Sequence, residues 1–254
     1  MNPKRFLRAV RPLLGVIALI GAWWGLAAAQ LFDPVLLPTP AKAFFALLDA
    51  FANHTLLYDF EITIWRTTVA LAIGCLIAIP LGIILGSSED IYRSLEFVID
   101  FFRSTPTSAM FPLFLVLFGV GDKTKIAIAA FGASLVILFN VAYGVINSRK
   151  TRVLAARVMG ASKTRVLFDV YLWEALPQIF VGMRNGVSVS LVIVIVAEMF
   201  IGSSDGLGRS LIDSQMSFDM PTMYATIFVA GALGYTLNWM FLSVERKFVH
   251  WGGK

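Results

Sequence analysis

A single cysteine, Cys75, gives the chain no intrachain disulfide. It sits in an apolar run, so cysteine usage says nothing about redox compartment. The two histidines, His54 and His250, are far apart, and no His, Cys or carboxylate set has metal-ligand spacing, so no metal site is expected. Charge is scarce as well: Asp, Glu, Lys and Arg make up 15% of the residues, where a soluble domain carries about 25%.

What fills the chain is apolar. Hydrophobic residues are 58% of the 254 and mean hydropathy is +0.78, and these residues gather into long runs. A run of about 20 apolar residues is what a bilayer core demands of one helix. The sequence therefore predicts an all-α, polytopic membrane protein. A β-barrel is disfavoured because the runs are continuous rather than alternating. Six spans are expected, near 13–32, 64–86, 107–121, 124–146, 179–201 and 222–244, within one transmembrane domain over 1–254. The net charge of +5 reads as basic inner loops rather than a nucleic-acid surface.

The first span follows Lys4, Arg5, Arg8 and Arg11. A signal peptide is the alternative, with Ala27 to Ala29 offering an A-x-A site. The apolar run is longer than a usual signal core, and Trp23 and Trp24 are bulky near the would-be cut, so an uncleaved span is expected. With the N-terminus inside, fifteen Lys and Arg fall in inner segments (the four above, Arg93, Arg103, Arg149, Lys150, Arg152, Arg157, Lys163, Arg165, Arg246, Lys247 and Lys254). Only Lys42, Lys123, Lys125 and Arg209 fall outside, which sets both termini in the cytoplasm.

Several segments between or within spans stand out. The third span is short, starts after Thr105-Pro106-Thr107 and contains Pro112, which removes a backbone donor. It reads either as a simple kink or as irregular backbone lining a cavity. Residues 41–61 repeat apolar positions at helical spacing, as an outer amphipathic helix would. GSSDGLG, Gly202 to Gly208, lacks the G-K-[ST] ending of a phosphate loop and reads as a tight external loop.

The largest inner loop, about 148–177, holds LAARVMGASKTRVLFDVYLWEALP from Leu154 to Pro177. Ala155, Ala156, Ala161 and Ser162 are small enough to let another backbone approach closely, and Gly160 interrupts strong helix formers. Arg157, Lys163 and Arg165 keep the segment out of hydrocarbon. A short helix, a glycine turn and a second helix would form a knob that fits a groove in a soluble partner. The bland alternative is an amphipathic loop on the inner leaflet.

AARVMGAS followed by ALP at Ala175 to Pro177 resembles the EAA loop of ABC-transporter permeases from bacterial import systems. LLPTPAKAF (36–44), IPLGIILGSS (79–88), FFRSTPTSAMFPLFLVLFGVGDKTKI (101–126), VAEMFIGSSDGLG (196–208) and ERKFVHW (245–251) resemble the nitrate/sulfonate/bicarbonate/taurine-type branch, in order along nearly the whole chain. The resemblance implies that Leu154, Ala155, Ala156, Gly160, Ala161 and Ser162 form a coupling helix and turn that dock on an ATP-binding subunit. Leu154 stands where the family has glutamate, and Trp173 where it has the first proline of the loop's ending. The resemblance also implies two permease copies, expected as a homodimer, two ATPases, an external solute-binding protein, and transport of a small anion. ATP and its magnesium are expected on the partner ATPase: this chain has no G-x-x-x-x-G-K-[ST] segment, no expected cofactor and no expected enzymatic step.

In the fifth span Arg184, Ser188, Leu191, Ile195 and Glu198 fall within an arc of about 80°, with Arg184 and Glu198 about 21 Å apart along the axis. Ionisable groups in a span usually face a bundle interior or aqueous cavity, so Arg184, Ser188 and Glu198 are expected on the translocation path. The alternative is interhelical packing, with Arg184 snorkelling to headgroups. Glu198 could instead pair with Arg66, at a similar depth in span two. Two other function classes compete. An intramembrane enzyme would need a catalytic pair at depth, and both histidines lie outside the spans. A secondary transporter would leave the 150–177 knob without a role.

Overall fold

The computed structural model describes the backbone of residues 3–249 and the side chains of residues 14–249. The side chains of Lys4, Arg5, Arg8 and Arg11, and His250, Trp251 and Lys254, lie outside the described residues. Eleven α-helices occur among the described residues: α1 Pro3–Ala28, α2 Pro40–Ala52, α3 Thr55–Ser87, α4 Glu89–Ser104, α5 Phe111–Phe118, α6 Asp122–Ile146, α7 Lys150–Val158, α8 Lys163–Val166, α9 Leu172–Phe200, α10 Leu207–Met216 and α11 Met220–Phe248. One 3₁₀ turn, Thr107–Met110, precedes α5, and one π turn, Leu167–Tyr171, joins α8 to α9.

Among the described residues four continuous helical stretches are long and apolar enough to cross a membrane: α3, α6, Lys163–Phe200 and α11. A fifth is α4 with Thr107–Phe118, bent by 90° at the break. The first expected span falls on α1, whose apolar part is Leu14–Ala28. The expected third span is thus one arm of a broken helix. Thr105 is extended ahead of Pro106, as a residue before proline prefers, and α4 ends there. The expected outer helix over 41–61 is two helices. Thr39 caps α2 and Pro40 opens it, but His54 takes a left-handed backbone at φ 56° and the chain turns into α3.

The core lies where α3, α6 and α9 pack together. Ile137, Val141 and Val145 of α6 meet Leu71, Ala78 and Ile83 of α3 and Ala175, Ile179 and Val187 of α9. The helices approach closely because α3 presents glycine at the contact. A Cβ on Gly82 would lie 2.7 Å from Val141 Cβ, and one on Gly86 would lie 2.6 Å from the Ala142 carbonyl oxygen. Between lipid-embedded helices such small residues replace the missing hydrophobic drive with close packing. A separate cluster joins Leu56, Leu191, Leu207, Val229 and Leu233, which brings α10 and α11 onto α3 and α9.

α1 is held near one end. Trp23 stacks on Tyr224 and Phe228 of α11, at 5.4 and 5.5 Å, and its indole nitrogen donates to the Pro38 carbonyl at 3.0 Å. The bundle has an α7 end and an α10 end. Spans alternate in direction between them, so among the described residues Arg93, Lys150 and Arg157, read from the sequence as inner, collect at the α7 end, while Arg103, also read as inner, lies deeper, against Phe139 of α6.

Candidate functional site

At the α7 end the expected helix and turn are present. α7 finishes in a Schellman arrangement: Gly160 N–H donates to the Arg157 carbonyl and Ala161 N–H to the Ala156 carbonyl, both at 3.0 Å. Gly160 occupies the left-handed position at φ 83°. A Cβ there would meet nothing within 4 Å of this chain, so glycine is needed for the backbone angle and not for space within the protomer. Ser162 caps α8, its hydroxyl accepting from Arg165 N–H at 3.3 Å.

The second helix of the expected knob is not separate. α8 runs through the π turn into α9 as one stretch, Lys163–Phe200. The segment is pinned below by buried Val153 and Val166, and Arg152 pairs with Glu174 near the start of α9. Its tip is bare: Leu154 is 63% exposed, Val158 80% and Met159 80%. Ala155 and Gly160 are also exposed and Ala156 and Ala161 half-buried, so the expected docking residues form one accessible surface.

At the α10 end a charged cluster is closed inside the protomer. Arg66 of α3 is 1% exposed and Glu198 of α9 is 0% exposed, and their charged atoms meet at 2.8 Å. Glu198 also accepts from the Thr63 hydroxyl, at 3.0 Å to each oxygen, and from Gly208 N–H at 3.0 Å. The guanidinium of Arg66 donates further to Asp122 at 2.9 Å, to the Asp205 carbonyl at 3.0 Å and to the Asp205 carboxylate. Lys125 donates to Ser203, and Asp59 accepts from Gly206 N–H at 2.7 Å.

The GSSDGLG segment is therefore a lid over two buried charges. Gly206, at φ 108°, sits so close that a Cβ would run into the Glu198 carboxyl. Partial burial pulls Asp205 upward, and its hydrogen bonds from Arg66 and Ser204 outweigh that and hold it below the ordinary carboxylate value.

The three residues expected on one open stripe of α9 separate. Ser188 is exposed; Arg184 is half-buried, with its guanidinium 3.5 Å from Glu245 of α11; Glu198 is enclosed. Leu191, between them on the arc, is buried against α11. The exposed side of α9 carries Asn185, Ser188 and Val192, so its centre is turned from that of the arc by roughly a fifth of the helix circumference and only Ser188 belongs to both. Ser188, Val192 and Val196 line an open cavity of about 490 Å³ with Thr107, Ser108 and Phe111. The sequence had no direct signal for Thr63, Asp122 and Asp205 as partners of the pair, or for Lys125 beside them, since they come from three separate segments: α3, the start of α6 and the lid. Among the described residues no group of three or more His, Cys, Asp or Glu is arranged to hold a metal.

Comparisons with known proteins agree in kind. The family profile described as binding-protein-dependent transport system inner membrane component matches residues 78–250. The taurine transport system permease protein TauC of Escherichia coli is 29% identical over 253 residues, covering 97% of this chain and 92% of that protein. A putative aliphatic sulfonates transport permease protein, SsuC of Bacillus subtilis, is 25% identical, covering 95% and 87%. Among solved structures, an inward-facing MetNI methionine ABC transporter chain superposes with a TM-score of 0.68 at 21% identity, over 76% of this chain and 95% of that one.

Proposed function

Because the chain belongs to the family of binding-protein-dependent transport system inner membrane components, and is the membrane-spanning subunit of an ATP-driven importer, we propose that it carries a small organic anion of the sulfonate class inward. The similarity to taurine and aliphatic-sulfonate permeases supports the solute class. Nitrate and bicarbonate are the competing anions within the same reading. The solute is handed over by an external binding protein, and two copies of this chain face each other across the open side of α9.

The bare tip of α7 is the observation that carries the coupling half of this reading. Three apolar side chains, Leu154, Val158 and Met159, stand largely exposed on α7 and its basic, tightly folded turn. That geometry suits insertion into a groove of a soluble ATPase. ATP and its magnesium sit on that partner, and this chain performs no covalent step. Both termini and the α7 end face the cytoplasm, in keeping with the excess of Lys and Arg there.

In this mechanism closure of the paired ATPases shifts α7. The Arg152–Glu174 pair and buried Val166 pass the shift to Lys163–Phe200. The rod carries it to the lid at the α10 end. Ser188 lines the path and Arg184 stands at its inner mouth, while Glu198 acts from inside the protomer by holding the lid.

Cysteine placed at Ala156 or Ala161 in a Cys75→Ala background tests the docking. Crosslinks from both to the ATPase are expected in a transport-competent complex. Failure of both positions would remove the coupling assignment. Uptake of labelled taurine, ethanesulfonate, nitrate and bicarbonate into proteoliposomes, each with the cognate binding protein, tests the solute class.

A further inference from the structure

A second cavity adjoins the one beside Ser188, and the two share Thr107 and Val189. It measures about 290 Å³ and is lined by Phe102, Arg103, Thr105, Phe139 and Asn140, among others. The guanidinium carbon of Arg103 stands 5.0 Å from the centre of the Phe139 ring. Phe139 lies about 10 Å along α6 from Ile146 and about 25 Å from Asp122, at 1.5 Å per residue. Arg103 is thus at membrane depth, yet its side chain is 61% exposed. A charge there is costly against hydrocarbon and marks a water-filled or ligand-filled space.

The helix that brings it is built for this. Glu89, Arg93, Glu96, Asp100 and Arg103 recur along α4 at steps of four and three, which places all five within an arc of about 80° on one face. Asp100 lies 3.3 Å from Arg103 on that face but is not part of the cavity wall. The wall carries a guanidinium and no carboxylate. Thr105 spends its hydroxyl hydrogen on the Phe101 carbonyl at 2.8 Å, but two other polar groups can donate. Asn140 spends one amide hydrogen on the Val136 carbonyl at 2.8 Å and has one left. The Thr107 hydroxyl makes no hydrogen bond among the described residues, and it stands on the boundary with the Ser188 cavity.

We propose that the Arg103–Asn140 cavity is an anion subsite within the transport path. Arg103 pairs with the sulfonate or carboxylate end of the solute, and Asn140 and Thr107 donate to its remaining oxygens. The rest of the solute extends past Thr107 toward Ser188. The permease then selects for charge and does not leave that choice wholly to the binding protein. This rests on the reading of the chain as a carrier of small organic anions.

Val189 touches both cavities, so a Cys75→Ala, Val189→Cys chain reports on the subsite. The chain is assembled with its ATPase and binding protein in phosphatidylcholine vesicles free of anionic lipid, which removes headgroups as a source of anion. It is then treated with 2-sulfonatoethyl and 2-(trimethylammonio)ethyl methanethiosulfonate. Each rate is referred to that of the same reagent with a free thiol. The anionic reagent should be favoured about tenfold or more, the range expected when a cleft of one charge concentrates its counter-ion. Arg103→Gln should abolish the preference and Arg103→Lys retain part of it. Equal rates in the parent, a preference that survives Arg103→Gln, or no reaction with either reagent would each overturn the subsite. Labelled taurine and ethanesulfonate uptake by the Cys75→Ala chain is read in parallel. Absent uptake with an intact reagent preference defeats the solute reading alone, and normal uptake without the preference defeats the subsite alone.

Discussion

Arg66 and Glu198 are 132 residues apart in sequence and 2.8 Å apart in space, and water reaches neither. Each is tied to further groups that exist only because the glycine-rich lid folds over them. Breaking a buried pair leaves its partner charged and unpaired at a cost of about 3–5 kcal/mol. Glu198→Gln is therefore expected to lower the thermal unfolding midpoint of the detergent-purified chain and to impair uptake. Arg66→Gln, which also strands Asp122 and Asp205, should do more. An unchanged midpoint in Glu198→Gln, measured by tryptophan fluorescence, would show the pair to be dispensable.

The lid glycine nearest the carboxylate offers a sharper contrast. Gly206→Ala must fit a Cβ against Glu198 at a left-handed backbone, and overpacking of this kind costs about 1–3 kcal/mol. Gly231→Ala meets nothing within 4 Å and has a helical backbone, so it should be neutral or slightly stabilising. Parallel melts of the two variants check the ordering, and equal effects would contradict it.

Asp205 gives the lid a dependence on pH. Its carboxyl titrates below the ordinary value of 3.8 in the folded chain. The stability it contributes is present above that value and is lost as pH falls through the lower, folded value. Melts between neutrality and strong acid should show the wild type losing more stability at the acid end than Asp205→Asn. The variant should start lower and lie flatter. Parallel curves would mean that Asp205 plays no part in the acid response.

At the other end, Gly160→Asn should be tolerated and Gly160→Val should not. A left-handed residue costs an L side chain roughly 1–2 kcal/mol, and asparagine is the usual exception. Gly160→Asp should keep the complex assembled but lose stimulation of ATP hydrolysis by the loaded binding protein, since the bulk it adds points outward, where this chain has nothing. Normal stimulation in a purified complex would separate the turn from coupling.

Much of this was legible from residues alone. The apolar runs predicted most of the helices, because a bilayer demands about 20 such residues wherever the chain crosses. The Gly160 turn was legible because its capping chemistry is local. The Arg66–Glu198 pair could be proposed from depth, since both lie near the same end of their spans. The partners Asp122, Lys125 and Asp205 could not, because ordinary loop composition does not reveal which loop folds over which charge. The α9 arc misled for a related reason. Periodicity groups Arg184, Ser188 and Glu198 on one side, but it does not say that α11 packs onto that side through Leu191, Val229 and Leu233. The 90° break before α5 had a cue in Thr105-Pro106-Thr107, but its angle follows from packing.

The aromatic clip on α1 should be separable from the rest. Each stacked pair contributes about 0.5–1.5 kcal/mol beyond area. Trp23→Ala should therefore loosen α1 from α11 while leaving the α3–α6–α9 core intact. A cysteine introduced at Phe228 should become more reactive in that variant; unchanged reactivity would assign the anchoring to other contacts.

The unbroken stretch from Lys163 to Phe200 turns two remote events into one lever. It is 38 residues long, or about 57 Å end to end. If it pivots near its middle, a tilt of about 5° swings each tip by roughly 2.5 Å in opposite directions, given 1.5 Å of rise per residue. That displacement is close to the reach of a hydrogen bond. A small stroke at the tip beside α7 would then be enough to pull Glu198 out of register with Thr63 and Gly208, so the latch would open by leverage without the helix having to unwind.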